Sequence, residues 1–166
     1  PEIGLHWAAG DVPKRPHPRE ADWGSFDLTQ PPGWWDFVFR IAMNGQFGVS
    51  SHLLEWSPEL KQRARENIAL YKRLRPIIAT SDVYHLTPPP KPGRNPTGWM
   101  ALQYATPDRQ HSILMAYRLG QSDPQQTFHL RGLAPDTTYR LTESGQPRGT
   151  VTGRQLASEG LPVRLD

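Results

Sequence analysis

The sequence predicts an α/β segment followed by an all-β segment, and two observations support this class. Between residues 43 and 78 a short apolar run precedes a long amphipathic helix pattern, which is the strand-then-helix order of parallel βα folds. After residue 80 short strand-like runs recur between turn residues, as in an antiparallel β-sandwich. We therefore predict two domains, residues 1–80 and residues 81–166.

Composition narrows the function classes. The 166 residues, of which 36% are hydrophobic and 10% aromatic, suffice for a globular core. The net charge of +3 is spread along the chain without a basic run interleaved with aromatics, so no nucleic-acid partner is expected. The sequence contains no cysteine, which excludes disulfides and thiolate metal sites. No apolar stretch approaches the ~18 residues of a membrane span, so no membrane partner is expected.

The first 33 residues are rich in proline and in aromatic residues. The chain opens within an apolar-rich run and lacks an initiator Met, so we expect a piece of a larger protein. The prolines predict an irregular segment over 1–33. Aromatic rings in such a segment either pack against the protein or stack on the apolar face of a sugar. The aromatic residues concerned fall within the first 35 positions and are Trp7, Trp23, Phe26, Trp34 and Trp35.

The apolar run 34–42 is compatible with a helix or a strand because it is short. A helix from Pro32 to about Asn44, followed by a strand over 43–49, keeps the order of a βα fold, and we predict that arrangement. Two glycines in the predicted strand suit close approach to other backbone.

A further helix is predicted from Ser57 to Ile78. Ser57 can cap its first turn, Pro58 fits that turn, and the charge of Glu59 complements the macrodipole. We expect Pro76 to limit the regular part. The predicted apolar stripe consists of Leu60, Ala64, Ile68, Tyr71, Leu74 and Ile78.

The second domain is predicted to begin with a strand over 83–86 and a proline-rich connector. A hairpin follows, with strands 99–105 and 112–118 joined by a turn at 107–110. Further short strands bring the expected total to between six and eight. These are predicted at 127–130, 138–141, 149–152 and 161–165.

No catalytic constellation emerges from the residues alone. Paired carboxylates could act as acid and base, but structural roles explain the acidic residues of the first segment better. The histidines have no metal-ligand spacing, and neither a phosphate-binding loop nor a Gly-x-Ser-x-Gly motif occurs, so no metal or cofactor is expected. The acidic residues considered are Asp11, Asp22, Asp27, Asp36, Glu55 and Asp82.

Several motifs nevertheless follow one another in a characteristic order. The first segment carries Asn44-Gly45-Gln46-Phe47-Gly48-Val49-Ser50, Trp56-Ser57-Pro58-Glu59, the helix end 69–75 and Asp82-Val83-Tyr84-His85-Leu86. The second carries Gln103-Tyr104, Ala116-Tyr117, Leu130-Arg131-Gly132-Leu133 and Tyr139. In this order they resemble the C-terminal third of family-36 glycoside hydrolases, the melibiase-type α-galactosidases and α-N-acetylgalactosaminidases. In the similar run 1–6, Leu5 replaces the alanine of the family's usual Gly-Ala-His motif.

The resemblance implies the last strands and helix of a (β/α)8 barrel, followed by a C-terminal antiparallel β-sandwich. It also implies retaining hydrolysis of α-galactosides by two aspartates. Both aspartates lie upstream in the family, so no catalytic residue maps onto this chain. Barrel active sites form at the C-terminal ends of the strands. The residues predicted to line the sugar pocket are therefore His6, Trp7, Asn44, Gly45 and Phe47.

Three functional interpretations follow. The leading one is the C-terminal segment of a glycosidase, whose partners are an α-galactoside or other carbohydrate and the rest of the barrel, on the same or another chain. The alternative is a non-catalytic carbohydrate-binding or accessory module, and the third is a structural interaction protein. Helix 57–78 and strand 43–49 need further barrel strands to cover them, so the isolated chain is expected to expose apolar surface and to associate, for example as a homo-oligomer.

Overall fold

A computed structural model of the chain describes residues 2–10, 31–45, 47–49, 53–88, 98–120, 122–143 and 145–165. The elements follow in chain order as β1 (Glu2–Gly10), α1 (Pro32–Ala42), a 3₁₀ turn (Leu53–Glu55), α2 (Pro58–Thr80), β2 (Asp82–His85), β3 (Gly98–Ala105), β4 (His111–Leu119), β5 (Gln125–Phe128), β6 (Thr138–Glu143), β7 (Gln146–Thr152), α3 (Gly153–Ser158) and β8 (Leu161–Arg164).

Local sequence signals explain where the helices begin. The α1 helix starts at Pro32, as predicted, with a proline in its first turn. In α2 the predicted cap is confirmed, because the Leu60 N–H donates to Ser57 Oγ at 3.1 Å. The short α3 helix begins with a capping box, in which Thr152 and Gln155 satisfy each other's backbone N–H groups.

Two sheets are present among the described residues. The larger has the strand order β2-β3-β4-β1-β6-β7, and β1 runs parallel to both of its neighbours. The other neighbouring strands pair antiparallel, as do β5 and β8 in the two-stranded sheet. The predicted hairpin is confirmed as β3 and β4, and its turn places Arg109 at φ 59°.

Strand β4 lies at the centre of the packing because both of its faces are buried. Leu114 and Ala116 join a hydrophobic cluster with β5, β6, β8 and α3. Ile113, Met115 and Tyr117 point the other way, into a cluster with α1, α2 and β3. This alternation places helices on one face of the large sheet and the small sheet with α3 on the other. The fold is therefore mixed helix and sheet, and the strands pair antiparallel except where β1 meets β4 and β6.

The predicted strand over 43–49 is wrong for the residues that the structure describes there. The Met43 N–H donates to two carbonyls of the last turn of α1, each at 3.2 Å. The Asn44 side chain donates to the Ile41 carbonyl at 3.1 Å. The segment therefore closes α1 by pairing its terminal carbonyls, and residues 47–49 belong to no helix or strand.

The predicted limit of α2 at Pro76 is also wrong, because the helix continues to Thr80. Pro76 is exposed, whereas Leu74 before it is buried and Ile78 after it is half-buried against the helix-side cluster. This packing on both sides of the proline offsets the lost amide donor. The apolar stripe predicted for α2 differs from the face that is buried, because Ile68 and Tyr71 are only half-buried. The buried residues of α2 are Leu60, Ala64, Asn67, Leu70 and Leu74.

The expectation of an irregular segment over 1–33 is wrong for residues 2–10, which form β1. Residues 11–30 lie outside the described residues, and so does the connector over 89–97. The predicted strand 127–130 lies two residues too far along the chain, since β5 ends at Phe128. In the part of the chain that the structure describes, none of the helices combines the length and apolarity needed to cross a bilayer.

Candidate functional site

The structure places the predicted pocket residues in two neighbouring regions. His6 and Trp7 lie in β1, opposite Met115 and Ala116 of β4 in parallel register. Asn44 and the two other predicted residues follow the end of α1. The two regions meet at β4, because Asn44 is hydrogen-bonded to Tyr117, the residue directly after Ala116 in that strand.

Asn44 is the centre of a part-buried hydrogen-bond cluster. Its Nδ2 donates to Tyr117 Oη at 2.6 Å, and its Oδ1 accepts from the Tyr104 hydroxyl at 3.1 Å. The Tyr117 hydroxyl in turn donates to the Arg40 carbonyl at 2.8 Å. These bonds join the end of α1 to β3 and β4 through one side chain. We call Asn44, Tyr104 and Tyr117 the Asn44 cluster.

Both tyrosines of the Asn44 cluster are enclosed by protein. Tyr117 is 0% exposed and Tyr104 is 4% exposed. Burial raises the pKa of Tyr117 far above its ordinary value, and the hydrogen bond from Asn44 opposes that shift in part. Burial also raises the pKa of Tyr104. Both phenols therefore remain neutral at physiological pH and can act as hydrogen-bond donors.

Phe47 is held by aromatic packing. Its ring stacks on Tyr71 of α2, with centroids 5.0 Å apart, and lies 6.0 Å from Phe39 of α1. Phe39 also contacts Trp56 edge-on at 6.4 Å. Phe47 thus ties the segment after α1 to both helices, while Gly45 is exposed in the turn between Phe47 and the Asn44 cluster.

A cavity of about 230 Å³ lies where α1 and α2 begin. The rim carries the carboxylates of Glu55 and Glu59, both of which are exposed. Its arginine, Arg63, is already occupied, since it donates to Asp36 at 2.7 Å and lies 3.4 Å from Glu59. The full lining is Pro32, Trp35, Glu55, Ser57, Glu59, Leu60 and Arg63.

Asp36 has a structural role that the sequence analysis anticipated. Its carboxylate accepts hydrogen bonds from Arg63 and from the Asn67 amide, the latter at 2.9 Å. These bonds join α1 to α2 and explain why Asn67 is buried on an otherwise apolar helix face. Asp11, Asp22 and Asp27 lie outside the described residues.

The described side chains are better suited to binding and positioning a ligand than to catalysis. In the ranges that the structure describes, no three histidines or acidic residues come together as a metal site. Trp34 and Trp35 contact each other edge-on at 4.8 Å, and Trp35 is buried among Phe39, Trp56 and Leu60. Trp35 is therefore packed against the protein, whereas Trp34 is half-buried beside it and both interpretations stay open for that ring.

Sequence reasoning missed the two tyrosines of the Asn44 cluster as functional candidates. Tyr104 and Tyr117 follow Asn44 by 60 and 73 positions, respectively. The only signal is that each lies on the face of a hairpin strand that carries large apolar residues toward the helices. That pattern indicates burial, but it does not identify the polar partner.

Comparison with known proteins identifies related chains. Residues 99–166 match the model of the glycosyl hydrolase family 36 C-terminal domain. The bifunctional α-galactosidase/sucrose kinase AgaSK of Mediterraneibacter gnavus is 30% identical over 124 residues, covering 74% of this chain and 12% of AgaSK. Probable α-galactosidase C of Aspergillus flavus is 28% identical over 126 residues, covering 75% of this chain and 16% of the enzyme. The chain therefore spans less than a fifth of the length of these relatives.

Solved structures agree with this similarity. The α-galactosidase AgaA of Geobacillus stearothermophilus superimposes with a TM-score of 0.65 at 22% identity, over 77% of this chain and 17% of AgaA. A variant of that enzyme in complex with raffinose gives a TM-score of 0.63 at 21% identity, over the same shares of the two chains. At this level of identity the likeness concerns the fold.

Proposed function

Because this chain belongs to glycosyl hydrolase family 36, whose C-terminal domain matches residues 99–166, we propose that it is the C-terminal segment of a retaining glycosidase. The intact protein cleaves α-galactosides or α-N-acetylgalactosaminides. The catalytic aspartates belong to the part of the protein that precedes this chain.

One observation carries the proposal beyond the family's C-terminal domain. The similarity to AgaSK covers 74% of the chain, which is more than residues 99–166 can account for. It therefore extends across the α2 helix, which precedes the matched C-terminal domain. A free-standing β-module would not require likeness to a glycosidase across that helix.

In this proposal residues 1–80 supply the last part of a catalytic (β/α)8 barrel, and residues 81–166 form the closing β-sandwich. Strand β1 of the first segment lies in the large sheet between β4 and β6, so the two proposed domains share that sheet. The long α2 helix, with one buried face and one charged face, suits the outer ring of a barrel. The two sheets that share the cluster around β4 suit a sandwich. The preceding barrel strands would cover the apolar surface of the 3₁₀ turn, where Leu53 and Leu54 are exposed.

The chemistry follows the two-carboxylate logic of retaining glycosidases. One upstream aspartate attacks the anomeric carbon while the other protonates the leaving oxygen, and water then releases the sugar. His6, Trp7, Asn44, Gly45 and Phe47 contribute to the sugar pocket without taking part in bond breaking. The raffinose complex of the AgaA variant, a protein of similar fold, is consistent with a carbohydrate ligand for the intact protein.

The test uses the complete reading frame. Its product is assayed with p-nitrophenyl α-galactoside, the α-N-acetylgalactosaminide and, as a control, the β-galactoside. Turnover of either α-substrate supports the proposal and selects the sugar. Proton NMR of the first product distinguishes retention from inversion, because a retaining enzyme initially releases the α-anomer. Residues 1–166 alone serve as a second control and should be inactive.

A folded full-length protein that hydrolyses neither α-substrate would contradict the proposal. The carbohydrate-binding module would then replace it, with Trp7 and Trp23 as the first residues to test. The described aromatics give that alternative little support, because Trp35 and Trp56 are buried. Trp99 is likewise engaged, since its Nε1 donates to the Asp123 carbonyl at 3.0 Å.

A further inference from the structure

We propose that Tyr104 and Tyr117 are positioning residues that act through Asn44 to hold Asn44, Gly45 and Phe47 at the sugar pocket. This inference rests on the proposed glycosidase function. It gives strands β3 and β4 a role in substrate binding, although neither tyrosine needs to touch the sugar.

The first argument is that hydrogen bonding, not ring volume, distinguishes these tyrosines. A phenylalanine ring would fill the same space at Tyr117, where Phe37 already packs edge-on at 6.1 Å. A buried hydroxyl costs free energy unless it is hydrogen-bonded. The Tyr117 hydroxyl meets that cost by accepting from Asn44 and donating to the Arg40 carbonyl. The bond network therefore fixes a particular orientation of Asn44.

The second argument is that both polar atoms of the Asn44 side chain are hydrogen-bonded within the protein. Its Nδ2 contacts the Ile41 carbonyl at 3.1 Å and Tyr117 Oη at 2.6 Å, while its Oδ1 accepts from Tyr104. The amide therefore links the last turn of α1 to two strands of the sheet. Removing either phenolic hydroxyl leaves part of this amide unpaired in a part-buried place.

The third argument is that the following segment depends on anchors at its ends. Residues 47–49 lie in no helix or strand, so regular backbone hydrogen bonds do not fix them. Phe47 is held by its stacking on Tyr71, and Asn44 is held by the two tyrosines. Loss of the Asn44 anchor frees the segment to shift. Small misplacements of groups that position a substrate can reduce rates greatly.

The experiment compares Tyr117→Phe and Tyr104→Phe with Tyr139→Phe in the full-length protein. Tyr139 is a matched control because it too is 0% exposed and its hydroxyl joins two backbone groups, donating to the Arg109 carbonyl and accepting from the Ala134 N–H. Those partners belong to the β-part of the chain. For each variant, kcat and KM on the active α-glycoside, the melting temperature and hydrogen exchange of residues 43–49 are measured.

We expect Tyr117→Phe to lower kcat/KM about tenfold and to speed exchange over 43–49, with a smaller effect of the same kind for Tyr104→Phe. Tyr139→Phe should lower the melting temperature by a similar amount while kcat/KM stays within about twofold. Equal kinetics for Tyr117→Phe and Tyr139→Phe, with unchanged exchange over 43–49, would overturn the proposal.

A double-mutant cycle tests whether Tyr117 acts through Asn44. In an Asn44→Ala background, Tyr117→Phe should cause no further loss of kcat/KM, whereas independent, additive losses would overturn that route. If the full-length wild type lacks glycosidase activity, the proposed function fails. Hydrogen exchange over 43–49 then replaces kinetics as the measurement. Faster exchange in Tyr117→Phe but not in Tyr139→Phe still supports positioning, and equal exchange in the two variants overturns it.

Discussion

Gln103 and Arg131 are joined by two hydrogen bonds. The Gln103 side-chain amide pairs with the backbone N–H and carbonyl of Arg131, as the backbone of a neighbouring strand would. Gln103 Nε2 donates to the Arg131 carbonyl at 2.7 Å, and its Oε1 accepts from the Arg131 N–H at 2.8 Å. Gln103 is 0% exposed, and its Nε2 also lies 3.0 Å from Ser112 Oγ. This pair ties β3 to the loop between β5 and β6, and so joins the two sheets.

Replacement of Gln103 by leucine should destabilise the fold markedly. The volume is nearly kept, but both backbone groups of Arg131 lose their partner in a part-buried place. At ~1–3 kcal/mol for each unsatisfied group, we expect a loss of about 2–4 kcal/mol in the free energy of unfolding. Urea denaturation measures it. Gln126→Leu, at an exposed position of β5, is the control and should change stability by less than about 0.5 kcal/mol. Equal midpoints for both variants would contradict the role of Gln103.

Stability should fall with rising pH once the pH exceeds about 10. The raised pKa values of Tyr117 and Tyr104 keep their protons on the folded protein, whereas unfolded tyrosines lose theirs near the ordinary value of 10.0. Above that pH the unfolded state binds fewer protons than the folded state, so the free energy of unfolding decreases. The contribution is complete below pH 10, and each proton changes the slope by up to about 1.4 kcal/mol per pH unit.

Urea unfolding between pH 8 and pH 11 tests this dependence. The Tyr117→Phe variant should have a shallower decline than the wild type, because one of the buried protons is gone. Gln103→Leu is the matched control, since it is destabilised without losing a tyrosine and should keep the wild-type slope. Parallel curves for wild type and Tyr117→Phe would refute the assignment.

Two helix-start glycines should respond oppositely to alanine. A Cβ at Gly153, the first residue of α3, would collide with the Ala134 carbonyl, so α3 would have to shift. A Cβ at Gly33 in α1 meets nothing within 4 Å. We expect Gly153→Ala to destabilise by about 1–3 kcal/mol and Gly33→Ala to stabilise by about 0.4–1 kcal/mol. Calorimetric melting temperatures measure both effects, and a Gly153→Ala protein as stable as the wild type would disprove the close contact.

Features set by neighbouring residues were predictable from the sequence. The cap at Ser57 depends on a backbone group three residues away. The turn at 107–110 likewise depends on local bonds, such as that from Thr106 Oγ1 to Asp108 at 2.6 Å. Such signals require no knowledge of the tertiary structure. The α3 helix could have been predicted for the same reason, because its capping-box residues, Thr152 and Gln155, are three positions apart.

Features set by distant partners were not predictable. The run 43–49 has the apolar character of a strand, but Asn44 closes α1 and binds tyrosines of a hairpin that lies 60 or more residues away. Likewise, Asn67 can be buried because its amide donates a hydrogen bond to Asp36 of another helix. A hydrophobic pattern identifies buried positions, but it does not say which of two distant elements a polar residue will join.

The isolated chain should self-associate through the 3₁₀ turn that precedes α2. Leu54 is 95% exposed and its neighbour Leu53 is 51% exposed, a pairing of large apolar side chains that favours contact with another surface. In the intact protein, that surface would be the preceding part of the barrel. Analytical ultracentrifugation of residues 1–166 over a concentration series should reveal a dimer or larger species, and Leu54→Glu should shift it toward the monomer.

Ala69→Glu provides the matched charge control, because Ala69 is exposed on α2 and the variant adds the same charge to the same helical part of the chain. It should leave the association unchanged. If charge alone dispersed the oligomer, both variants would behave alike, and the assignment to Leu54 would fail. A wild-type chain that is monodisperse and melts cooperatively as a monomer at every concentration would contradict more than this surface. It would mean that α1 and α2 complete a fold of their own, so residues 1–80 would not be part of an open barrel.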